Sequence, residues 1–116
     1  MIAGTYNIPT QTNGDTFDGV QFTVTKTIDN TTTPVDLTDC RIFSQIKDSR
    51  GIVVRDMSID NGITVTDAVN GVFQVDSFIV DLGIGTFVYD IQTIFPDGTV
   101  KTYVKGAFGV VQDVTK

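Results

Sequence analysis

With 116 residues and a mass of 12.6 kDa, the chain has the size of one domain that can bury a single core. Its formal charge of −6, from eight Lys and Arg against fourteen acidic side chains, excludes the basic footprint that nucleic acid or an anionic membrane requires. Histidine and tryptophan are absent and Cys40 is the lone cysteine, which removes Ser-His-Asp and Cys-His nucleophiles, His-based zinc sites and an internal disulfide.

All the acidic residues are Asp, and Leu occurs only at Leu37 and Leu82, while Thr, Val and Ile abound. Branched side chains are stiff at χ1 and suit a pleated surface, and Asp closes turns through its own carboxylate. The composition is all-β. No apolar run approaches the ~18 residues of a membrane span. The opening "MIAGTYNIPT" lacks the basic and long apolar regions of a signal peptide, so the chain is expected to stay unanchored in a cytosol.

Residues 1–14, with Gly4, Pro9 and Gly14, read as an arm carrying a short strand near Thr5–Ile8; residues 15–116 read as the body of the domain. "GVQFTVTKTI" alternates with Phe22 and Val24 on one face, the period of a half-buried strand. "DNTTTPVDLTD", residues 29–39, reads as a polar loop. The next strand puts Cys40, Ile42, Ser44 and Ile46 on one face and Arg41, Phe43, Gln45 and Lys47 on the other, with Cys40 buried as a small hydrophobe.

"DSRG" turns the chain into "IVVRDM", "DNG" leads into "ITVT", and "DAVNG" turns it into "VFQVD". In "GTFVYDIQTIF" Phe87, Tyr89 and Ile91 share the core face, and loss of either Phe87 or Tyr89 to alanine is expected to cost about 3–5 kcal/mol. Asp97-Gly98 makes a hairpin to a return strand with Val100, Thr102 and Val104 on one face. Short strands at this spacing predict one antiparallel β-sandwich of about seven to nine strands, immunoglobulin-like in the Gly85-to-Tyr89 turn into its strand.

No chemistry-bearing constellation emerges from the spacing. "LGIG" at 82–85 departs from G-x-G-x-x-G at Val88 and precedes a strand, whereas a phosphate loop must open a helix. The aspartates of "DTFDG", "DSRG" and "DNG" lack the ligand order of a calcium loop and read as turn formers. A carboxylate pair could serve an Asp-based hydrolase, but nothing in the spacing points to one. The expectation is a protein that is not an enzyme and has no catalytic, cofactor or metal residues.

The segments "AGTYNIPTQTNGDTF", "PVDLTDCRIFSQIKD", "NGITVTDAVNGVFQVD", "LGIGTFVYDIQ" and "DGTVKTYVKGAFGVVQDVT" resemble, over nearly the whole chain, a group of small bacteriophage virion proteins. They are similar to the immunoglobulin-like N-terminal domain of phage baseplate upper proteins. The chain departs from the pattern where Thr12-Asn13 separates Gln11 from Gly14, and where Asp39-Cys40 replaces a Gly-Ala or Gly-Tyr pair.

The resemblance implies a virion structural protein made in the bacterial host cytoplasm, an adaptor of tail or baseplate that joins fibre components. It implies other virion proteins as partners, in a homo-oligomer or symmetric array, with neither nucleic acid nor membrane. A capsid decoration or head-fibre protein is the alternative. A carbohydrate-binding module is a lesser one, because Trp is absent and Tyr occurs only at Tyr6, Tyr89 and Tyr103, which makes a poor stacking platform for a sugar. Candidate contact residues are Tyr6 and Ile8 on the arm, Phe43 and Tyr103, together with the C-terminal "VVQDVTK".

Overall fold

The structure, a computed structural model, describes residues 4–112. Thirteen strands follow one another among them: β1 (Gly4–Thr5), β2 (Ile8–Thr12), β3 (Thr16–Phe17), β4 (Val20–Thr23), β5 (Thr25–Ile28), β6 (Thr31–Pro34), β7 (Arg41–Lys47), β8 (Val53–Ile59), β9 (Gly62–Asp67), β10 (Val72–Val75), β11 (Phe78–Ile79), β12 (Gly85–Ile94) and β13 (Val100–Val111). The domain is all-β. Nine strands form one sheet in the order β1-β13-β12-β7-β8-β9-β10-β4, with β2 also paired to β13.

The join between β8 and β9 is only two residue pairs long, Ser58 with Gly62 and Ile59 with Ile63. Asp60 at φ 65° and Gly62 at φ 97° loop the chain there so that the two strands pair in parallel, and a side chain at Gly62 would run into Met57. The sheet curls at this seam. Its front half (β1, β2, β13, β12, β7, β8) faces its back half (β9, β10, β4) as an immunoglobulin-like sandwich.

Alternation decides what each half turns inward. Ile42, Ser44 and Ile46 of β7, Phe87, Tyr89, Ile91 and Thr93 of β12, and Phe108 and Val110 of β13 are buried. From the back half come Ile63, Phe73 and Val75. The β3–β11 pair adds Phe17 and Phe78, whose rings lie 5.5 and 6.1 Å from that of Phe108. Ser44 is the polar exception that has a partner, since its hydroxyl donates to the Asp90 carbonyl at 2.8 Å. Cys40 is buried as expected, and the Asp97-Gly98 turn closes the β12–β13 hairpin with Gly98 at φ 89°.

Four sequence expectations need correction. The polar loop over 29–39 contains strand β6, paired antiparallel to β5. Its two-residue turn is Asp29-Asn30, at φ 52° and 65°, the positive pair that a tight hairpin turn requires. The single run through residue 28 is two strands, because Val24 leaves the sheet to bond Gly71 and Val35. The arm's strand is centred later than Thr5–Ile8, at Ile8–Thr12, with Gly4–Thr5 as a separate short one.

Finally, Val100, Thr102 and Val104 do not share a face. A bulge in β13 pairs Gln92 with Thr102 and Ile91 with Val104, leaving Tyr103 as the extra residue. Thr102 sits with outward Gln92, whereas Val104 sits with buried Ile91.

Candidate functional site

The arm is the first candidate surface, and it is occupied by its own chain. β1 and β2 both run parallel to β13, and Tyr6-Asn7 between them crosses that strand at Gly106. The Tyr6 amide donates to the Lys105 carbonyl at 3.0 Å, and Asn7 Oδ1 accepts from the Ala107 amide at 3.1 Å. The Tyr89 hydroxyl, buried on β12, donates to the Tyr6 carbonyl at 2.5 Å. Gly106 makes the crossing feasible, since a Cβ there would collide with that same carbonyl.

Gly106→Ala should therefore displace the arm and cost about 1–3 kcal/mol through overpacking. Hydrogen exchange would show it: amides of Tyr6 and Ile8 exchange faster while those of β12 stay protected. Unchanged exchange at Ile8 would mean that the arm is held by something other than this crossing.

The four residues expected to contact partners lie in separate places. Tyr6 is partly exposed, its ring edge-on to Phe22 with centroids 5.7 Å apart, and Ile8 is buried in the core. Ile8 thus anchors the arm inward and offers nothing to a neighbour while the arm stays docked. Phe43 is half-buried on the outer face of the front half, between Gln92 and Ser58. Tyr103 is also half-buried, because the bulge turns it toward Phe95, with ring centroids 6.4 Å apart. Burial, with Cys40 nearby, raises the Tyr103 phenol above its ordinary value. Part of the C-terminal candidate, residues 113–116, lies outside the described residues.

The outer face of the front half holds a concavity of about 400 Å³ lined by Thr5, Gln45, Lys47, Val88, Asp90 and Lys105, with Tyr89 and Gly106 at its floor. Cross-strand register sets Gln45 and Lys105 on either side of Asp90, and Lys47 beside Val88. Val88, Val53 and Ile52 are exposed at the same end, so this face mixes charge with apolar surface. Among the described residues no three His, Cys, Asp or Glu side chains gather as a metal site would need.

Several aspartates spend their carboxylates on local turns. Thr38 holds the Asp36 carboxyl below the usual carboxylate range, first through its hydroxyl and then through its amide. Arg50 does the same for Asp48, helped by the Ile52 amide, and the Thr99 amide does so for Asp97. The Cys40 thiol is pushed up by burial and by the neighbouring Asp36, Asp39 and Asp97, which keeps it a poor nucleophile.

The element that sequence reasoning passed over is the β5–β6 ribbon. All eight of its residues are exposed, so it stands clear of the sandwich. Its signal was present in the alternation "TVTKTI" followed by Asp29-Asn30, but the threonines and Pro34 resembled loop composition.

No protein-family model matches the chain, and no curated protein sequence matches it. Among solved structures it is similar to CopC from Methylosinus trichosporium OB3b, with a TM-score of 0.47 and 16% sequence identity, covering 88% of this chain and 83% of that one.

Proposed function

We propose that this chain is a non-enzymatic structural protein of a bacteriophage particle, a tail or baseplate adaptor that joins fibre or tail components through repeated protein–protein contacts. The observation that carries the proposal is the β5–β6 ribbon. A two-stranded hairpin with both faces in water is marginal on its own, and among the described residues nothing in the sandwich covers Thr25–Ile28 or Thr31–Pro34. Ile28 is 61% exposed beside the turn. Such an element gains its stability from a neighbouring subunit, and a symmetric assembly supplies that neighbour at every position.

The sequence likeness to small phage virion proteins supports the same role. So does the mixed outer face around Val88, Lys47 and Lys105, which has the polar and apolar blend of a non-obligate interface. The arm is an internal strand in this reading, paired to β13 of its own chain.

Electron microscopy of an intact particle containing the chain tests the proposal. The expected result is a ring of a few copies at the tail, with the ribbon buried against the next subunit. Copies spread over the head surface would overturn the tail location and make the protein a capsid decoration. A ribbon left in solvent at every copy would overturn the contact itself.

A further inference from the structure

We infer that the free edge of β4, Val20–Thr23, is a strand-acceptor site for an extended, basic and apolar segment of a different protein. The inference goes beyond the adaptor role and stands without it, because it follows from how the sheet treats its edges. A free strand edge invites unwanted pairing, and proteins blunt it with proline, bulges, inward charges or lysine.

Each other long edge here carries such a device. On β2, Pro9 has no N–H, and the Gln11 side-chain amide covers the Pro9 carbonyl at 2.7 Å. On β8, beyond its short join to β9, a bulge separates Val53 from Arg55, whose guanidinium turns back over the Phe78 ring at 3.8 Å. A second bulge, at Thr66, interrupts β9. The ribbon has Lys26 on one strand and Pro34 on the other. On β4 there is no proline, no charge and no bulge: its register against β10 is unbroken from Val20–Val75 to Thr23–Val72.

The surroundings of this edge say what would fit. Toward the arm lies a groove of about 200 Å³ in which Tyr6, Pro9 and Phe17 stand beside the polar Gln11 and Asp18. On the other side lies one of about 440 Å³ lined by Asp18, Asp76, Gln21 and Gln74. Side chains of an added strand alternate between two faces, so one set would meet the Tyr6, Pro9 and Phe17 side chains beside Asp18, and the next set Asp18 and Asp76 with the two glutamines. The Asp76 carboxylate already accepts from Thr64 and Gln74, which are neutral groups. Within the described residues the ion pair formed is Arg50–Asp48, on the opposite half of the sandwich, so Asp18 and Asp76 have no cation of their own. A second copy would bring a like charge of −6, whereas lysines or arginines on a foreign strand complement both carboxylates.

The test is a titration of the full isotope-labelled chain with the synthetic peptide Lys-Val-Lys-Val-Lys-Val-Lys, followed residue by residue in NMR spectra. Shifts and slowed amide exchange should concentrate on residues 18–23 and on β10. The matched peptide with Asp in place of Lys should not bind. Asp18→Lys should weaken binding by roughly five- to tenfold. Gln21→Lys, which places a cation at the same edge from a different exposed position, should do likewise, with both variants unfolding at the temperature of the parent. The inference is overturned if shifts centre on β2 or β8 or spread evenly over the acidic surface. It is equally overturned if β4 does not respond at millimolar peptide, if the acidic peptide binds as well, or if the chain alone self-associates through β4.

Discussion

Tyr89→Ala lowers the unfolding free energy by about 3–5 kcal/mol, and Tyr89→Phe lowers it by about 1 kcal/mol, measured by chemical denaturation. The two numbers separate two jobs of one side chain. The ring lies in the core between the halves and leaves a cavity when removed. The hydroxyl spans from β12 to the arm and ties the Tyr6 carbonyl across Gly106. Tyr89→Phe keeps the ring and frees the arm, so exchange at Tyr6 and Ile8 should rise with little loss elsewhere.

Burial holds the phenol above its ordinary pKa of 10.0, with Tyr6 nearby adding to the shift. The folded chain therefore keeps this proton longer than the unfolded chain. Its contribution is full below pH 10 and fades as pH rises beyond that value. A Tyr89→Phe variant as stable as the parent, with an arm equally protected, would show that the hydroxyl does not hold the arm.

Phe108→Ala is expected to be as damaging, about 3–5 kcal/mol, because its ring is fully buried where three parts of the fold meet. It lies on β13 under the arm, stacked on Phe78 at an interplanar angle of 18° and met edge-on by Phe17. Ile8 pairs with it in register, so the same cavity would loosen the arm. Val88→Ala, on the exposed outer face of β12, is the control and should change stability by less than about 0.5 kcal/mol. Equal losses in the two variants would mean that the inward and outward faces have been exchanged.

Much of this fold is legible in local chemistry. Alternation places Phe87, Tyr89 and Ile91 inward on β12, and Ile42, Ser44 and Ile46 inward on β7, and all six are buried. Asp97-Gly98 closes the hairpin because Gly98 takes the positive φ that the turn needs. Asp36, Asp48 and Asp97 each accept a backbone N–H two residues on, as turn-forming aspartates do.

The candidate surfaces are less legible. Nothing local tells that Tyr103 is the extra residue of a bulge, because a bulge is a property of two paired strands. Nothing local to Ile8 tells that it is buried beside Phe108, because that burial comes from the arm lying on β13, far along the chain. The second strand of the ribbon, β6, was hidden for a related reason: with all four residues exposed it shows no hydrophobic period to read.

From the sequence alone came the all-β class, the strand faces with one buried side, and the turns built on Asp and Gly. These rest on interactions within a few residues, where backbone geometry and side-chain period act directly. The tertiary structure alone decided that Gly106 is the crossing point of the arm, that the sheet curls at the β8–β9 seam, and that β4 ends the sheet unprotected. Those are choices among partners distant in the chain, settled by which packing buries Phe17, Phe73 and Phe108 together and leaves the fewest backbone groups unpaired.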